Sequence, residues 1–188
     1  RPPSAGLPAD KVLEKMLGDL RKQKGKQGGT LDDVKKPFGA SYRAMLEEVN
    51  GTLANLKALF PEYDGRGYEL AGFVWFQGWN DQYGSENEYE SNMKHFIRDV
   101  RKDLNAPKLP FVIAVMGQNG SKPATGAMLT IQKAQLAMND VPEFKGTVKA
   151  IRTDVLVDKD AEALFPKWRE NQEAWKKVGG DFAFHYLG

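Results

Sequence analysis

The feature that most constrains this fold is the run Phe111-Val112-Ile113-Ala114-Val115-Met116, bounded by Pro110 and Gly117. It is rich in β-branched residues, too short for a buried helix, and lacks the polar alternation of a half-exposed strand. The pattern predicts a strand buried on both faces, as parallel sheets require. Parallel neighbours cannot be joined by a tight turn, so helices must connect them. The chain supplies what that demands. A second apolar segment, with Gly72-Phe73-Val74-Trp75-Phe76 at its centre, predicts a buried strand over 70–77. A weaker one over 147–152 can extend toward Val155.

Helical spacing lies between these strands. Tyr89, Met93, Phe96, Ile97, Val100 and Leu104 mark a helix over about 87–104, and another is expected over about 126–139. Upstream, Val12, Leu13, Met16, Leu17 and Leu20 predict a helix over 9–23. Tyr42, Met45, Val49, Leu53, Leu56 and Phe60 predict one over 41–60, stopped by Pro61. Gly25 to Gly39 reads as a polar surface connection, and 7–38 as a helical or loop insertion. A last helix over about 159–177 would bury Leu164, Phe165, Trp168 and Trp175, and Asp181 to His185 alternates like a short extended arm. Right-handed crossovers turn this order into a parallel sheet with helices on both faces. Three strands are few beside the roughly five of a typical sheet, so we expect part of the sheet to be absent or carried by segments without a legible pattern.

Several function classes fall away. The 188 residues suit one domain, and a net charge of +2 from 27 basic and 25 acidic side chains gives no support to a nucleic-acid or anionic-membrane partner. Arg21-Lys22-Gln23-Lys24-Gly25-Lys26 reads as a solvated helix end. There is no cysteine, so no disulfide, thiolate metal site or cysteine nucleophile. Two distant histidines make no metal site, and no phosphate or dinucleotide fingerprint is present, so no cofactor is expected. No apolar run is long enough to span a bilayer. The chain opens at Arg1 without a methionine, and we expect it to be cut from something longer, which leaves its missing targeting segment uninformative.

Chemistry concentrates where the first strand ends, at Gln77-Gly78-Trp79-Asn80-Asp81. Open α/β sheets place their sites at carboxyl ends of strands. Gly78 allows a sharp turn there. Asn80 carries an amide that could donate to an oxyanion, although Asn80-Asp81 also fits a plain helix cap and turn. Trp79 and Tyr83 could stack on a sugar ring or simply pack. Of the two histidines, His95 sits within an amphipathic helix, whereas His185 follows the last extended segment.

The Gly-x-Asn-Asp pattern at 78–81, with Gln77 before it, resembles the third block of the SGNH hydrolases. The fuller string, an aromatic followed by Gln-Gly, is similar to their sialate O-acetylesterase and carbohydrate acetylesterase branch. Three more stretches resemble that branch: Arg1-Pro2-Pro3-Ser4-Ala5-Gly6, the run from His95 to Pro107, and Phe184-His185-Tyr186-Leu187-Gly188. The resemblance implies a flavodoxin-like three-layer α/β/α fold with a parallel sheet, incomplete at both ends in this chain, which would then be one partial esterase domain. It implies removal of acetyl groups from sugars by serine chemistry without a cofactor or metal, outside the cytoplasm (extracellular or periplasmic). It gives Asn80 to the oxyanion hole and His185 to the role of general base, with Gln77, Gly78, Trp79 and Tyr83 on the substrate side.

The chain departs from the family pattern in three ways. Many members carry Asp-x-x-His, whereas here Asp181 precedes His185 by one residue more, about 13 Å along an extended strand. Some relatives place an acid where Trp79 stands, so Asp81 and, more remotely, Asp154 are alternatives to Asp181, and a Ser-His dyad is a further one. The nucleophile block, Gly-Gln-Ser-Asn or Gly-Asp-Ser, does not occur in residues 1–188. Gly117-Gln118-Asn119-Gly120-Ser121 follows the wrong strand and has asparagine where serine is needed, and it reads as a loop over the site. Ser4 and Ser41 do not follow strands. These 188 residues alone are therefore expected to be inactive. The competing expectation is a non-catalytic carbohydrate-binding or structural module with a degenerate site.

Overall fold

The computed structural model describes residues 1–24, 29–117, 119–160 and 162–163. In chain order come α1 (Asp10–Lys24), α2 (Leu31–Lys35), α3 (Ala40–Ala54), α4 (Leu56–Leu59), β1 (Phe73–Trp75), α5 (Tyr89–Asp103), β2 (Phe111–Val115), α6 (Gly126–Leu136) and β3 (Val148–Arg152). The strands form one parallel sheet in the order β1-β2-β3, so the α/β architecture stands. No helix among the described residues is long and apolar enough to cross a membrane. The helix expected over 159–177 and the arm over 181–185 lie mainly or wholly outside the described residues. The chain divides into two compact units, Arg1–Phe73 with Glu88–Phe111, and Val74–Asn87 with the residues from Val112 on.

The first unit is organised around α5. Met93, Phe96, Ile97 and Val100 are buried on one stripe, as the spacing predicts. Phe96 meets Tyr42, Phe73 and Phe111 edge-on at centroid distances of 6.0, 5.7 and 6.0 Å, and Phe73 stacks on Phe111 at 4.7 Å. Such offset and edge arrangements suit the ring quadrupoles. Tyr42 donates its hydroxyl to Asp103 Oδ2 at 2.8 Å. Burial first, then that carboxylate, pushes the phenol's pKa upward. The N-terminal arm is pinned to α5: Ser4 N donates to Asp99 Oδ2 at 2.9 Å, Ser4 Oγ and His95 Nδ1 share a hydrogen bond at 2.8 Å, and Arg1 pairs with Glu88. Here sits the structural role of His95, a tie for the arm.

Two helical expectations in this unit need correction. The helix predicted over 41–60 breaks at Asn55, whose φ of −116° and ψ of 22° leave the helical region, and Phe60 is exposed. The polar connection 25–39 contains α2. Thr30 accepts from the Asp33 backbone N–H and Asp33 accepts from that of Thr30, which closes a capping box, and Val34 is buried. Among the described residues of α1 only Leu13 is buried, while Val12 and Met16 face solvent.

The second unit carries most of the sheet. Burial alternates along β2, with Phe111, Ile113 and Val115 inside and Val112 and Ala114 partly open. β1 repeats this: Trp75 is half-buried, whereas Val74 is 72% and Phe76 69% exposed. The expectations of a strand over 70–77 and of full burial on both faces are thus both corrected. Among the described residues one face of the sheet is covered. A continuous apolar run has no letter that separates a face covered by helix from one that is not. Among the described residues β3 lies at an edge, and Asn139 satisfies Ala150 there, accepting from its N–H at 2.9 Å and donating to its carbonyl at 3.1 Å.

Candidate active site at the carboxyl end of the first strand

The segment 77–83 leaves β1 through a turn that only glycine fits. Gly78 is buried with φ of +144°, and a Cβ there would lie 2.6 Å from Met116 Sδ and 3.0 Å from Ile131 Cγ2. Asp81 N donates to Gly78 O at 3.2 Å, and Asn80–Gln82 forms one turn of 3-10 helix. The cap position of that turn is Trp79, with no side-chain capping bond. Asn80 is therefore not spent as a helix cap. Its side chain is exposed and makes no hydrogen bond among the described residues. Trp79 and Tyr83 are 52% and 74% exposed.

The other predicted site residues divide. Asp81 is half-buried and accepts from Gln77 Nε2 at 2.5 Å. Asp154 forms an ion pair with Arg152, and the hydrogen bond from that guanidinium holds its carboxyl below the usual range. Asp181 and His185 lie outside the described residues. So the structure brings together Gln77, Gly78, Trp79, Asn80, Asp81 and Tyr83, all on one strand end and turn. The described part of the 117–121 loop is held by residues after β3. A Cβ at Gly117 would lie 3.0 Å from Asp154 N and 3.1 Å from Thr153 Oγ1, and Ser121 N donates to Glu162 Oε1 at 2.8 Å, which lowers the Glu162 pKa.

Residue-by-residue reading missed one layer. α6 presents two glutamines to the strand ends. Gln135, wholly buried, accepts from Met116 N at 2.9 Å and donates to Gln77 O at 2.8 Å. Gln132 donates to Met116 O at 2.6 Å. Thr153 Oγ1 donates to Val115 O at 2.6 Å. The signal was weak: two polar letters three apart on an otherwise apolar helix face, beside the buried Ile131, Ala134 and Met138.

The turn puts an exposed amide at the carboxyl end of a parallel strand, where open α/β sheets hold their sites. A family model described as carbohydrate esterase, sialic acid-specific acetylesterase, matches residues 25–185, and the chain belongs to that family. Its sheet and helices fit the three-layer α/β/α fold of SGNH hydrolases. No curated protein and no solved structure matches the chain significantly.

Proposed function

We propose that this chain supplies the oxyanion donor and the general base of a serine esterase that removes acetyl groups from sugars. The observation that carries the reading is Asn80. Its amide stands exposed and without a partner among the described residues, on a turn that buried contacts hold in place. A donor carried on a fixed turn leaves little to reorganise when an oxyanion develops. His185 takes the serine proton. A carboxylate that accepts one hydrogen bond can accept others, so Asp81, which accepts from Gln77, and Asp181 both stand as the acid that orients His185. Trp79 and Tyr83 offer aromatic faces to a pyranose, and Gln77 and Gly78 shape the turn beneath it. By family resemblance the enzyme works outside the cytoplasm.

The test is hydrolysis of an aryl acetate by the protein that carries this chain, beside its His185→Ala and Asn80→Ala variants. Losing one oxyanion donor lowers kcat by about 10²–10³, and losing the base costs at least as much. Equal turnover in all three would remove both roles. Residues 1–188 alone should show no turnover above background, because neither Gly-Gln-Ser-Asn nor Gly-Asp-Ser occurs among them and their one Gly-x-Ser, Gly39-Ala40-Ser41, opens a helix and does not follow a strand. Trp79, where some relatives hold an acid, favours a second reading, a sugar-binding module without turnover. Binding of an acetylated sugar by a protein that never hydrolyses it would decide for that reading.

A further inference from the structure

We infer that Gln135 is a positioning residue, whose buried amide ties the carboxyl ends of β1 and β2 together and fixes where the 78–81 turn presents Asn80. The inference rests on the oxyanion reading of Asn80. Sheet pairing of β1 ends at Trp75 and that of β2 at Val115. The Gln77 carbonyl and the Met116 N–H lie beyond those ends and still need partners. Gln135 supplies both, and its orientation is forced. An N–H can only donate, so Met116 faces Oε1, and a carbonyl can only accept, so Gln77 faces Nε2.

Volume alone does not explain a glutamine here. A wholly buried amide costs free energy unless both of its ends are bonded, and methionine would fill similar space without that requirement. The amide is useful only where two backbone groups must be held at a fixed separation. Ile131, on the same helix, lies under Gly78, and Gln132 holds the Met116 carbonyl. α6 thus acts as the floor of the turn. Asn80 follows Gly78 by two residues, so a displacement of Gln77 passes directly to its amide. Misplacement of a reacting group by about 1 Å can cost on the order of 10²-fold in rate.

The experiment compares Gln135→Met with Gln132→Met by backbone NMR relaxation of the full 188-residue chain. Order parameters of the Gly78–Asp81 amides should be near 0.85 in the unmodified chain and fall toward 0.6 in Gln135→Met. They should hold in Gln132→Met, which frees the Met116 carbonyl alone. Unchanged values in Gln135→Met would overturn the inference. Should that variant fail to fold, the unmodified chain decides. Its Gln135 Nε2–H should exchange with solvent about a hundredfold more slowly than an exposed glutamine's, and equal rates would overturn the tie. In the protein that carries this chain, Gln135→Met should lower kcat about tenfold with KM within about twofold, since the oxyanion contact acts only in the transition state. An active enzyme whose kcat is unmoved would refute the positioning role. An inactive one, with the NMR difference present, would sink the esterase reading and leave the tie standing.

Discussion

Gly78→Ala is the sharpest test of how the turn is built. Two separate costs meet at this residue. The backbone, at φ of +144°, lies outside the region open to an L side chain, which costs about 1–3 kcal/mol. A Cβ would also lie 2.6 Å from Met116 Sδ and 3.0 Å from Ile131 Cγ2, well inside the ~3.5–4.0 Å of an ordinary contact. Overpacking of that kind costs about another 1–3 kcal/mol. The expected loss is therefore roughly 2–6 kcal/mol. Gly84 provides the control. Its φ is +112°, but a Cβ there would meet nothing within 4 Å, so Gly84→Ala carries the backbone cost alone. Urea unfolding of both variants separates the two effects, provided the slopes agree. A double variant with Met116→Ala should recover part of the Gly78→Ala loss, since the methionine is the nearer obstacle. If Gly78→Ala proves no more costly than Gly84→Ala, the packing of the turn against β2 and α6 is wrong.

Further expectations follow from single side chains. Trp79→Ala and Tyr83→Ala remove exposed rings, so stability should change by no more than about 0.5 kcal/mol, while titration with an acetylated sugar should show affinity reduced several-fold; unchanged affinity would take the rings out of the site. Tyr42 has its phenol pKa raised above the ordinary 10.0 by burial and Asp103. The folded state thus holds that proton more tightly than the unfolded one, and the stabilisation is complete below pH 10.0 and lost as pH rises beyond it. Thermal unfolding across the alkaline range should show that decline in the unmodified chain and a weaker one in Tyr42→Phe.

The sequence was legible where one physical rule decided the outcome. The α5 stripe of Met93, Phe96, Ile97 and Val100 needed only helical spacing, and the order of strands and crossover helices needed only apolar runs separated by such stripes. It was less legible where the outcome depended on what lies across a surface. Val74 and Phe76 are as apolar as Trp75, yet they face outward. Asn55 ends α3 through its own backbone angles, with no proline to announce it. The box at Thr30 and Asp33 was present in the letters but masked by their polar surroundings. At the site, Gly78 and Asn80 could be singled out only with the apolar strand and Gln77 before them, since Asn80-Asp81 alone reads equally as a cap and turn. Gln135 could not, because its partners are backbone atoms, and these carry no letter.

The alternation along β2 has a practical side. Val112 and Ile113 differ by one methylene, yet a polar side chain costs far less at the first, which is 36% exposed, than at the second, which is wholly enclosed. Val74 and Ile151 share the permissive side of that two-step rhythm. Among the described residues, then, the outer row of the three strands is where a change of side chain disturbs the least packing, one position at a time, with the interior left as it is.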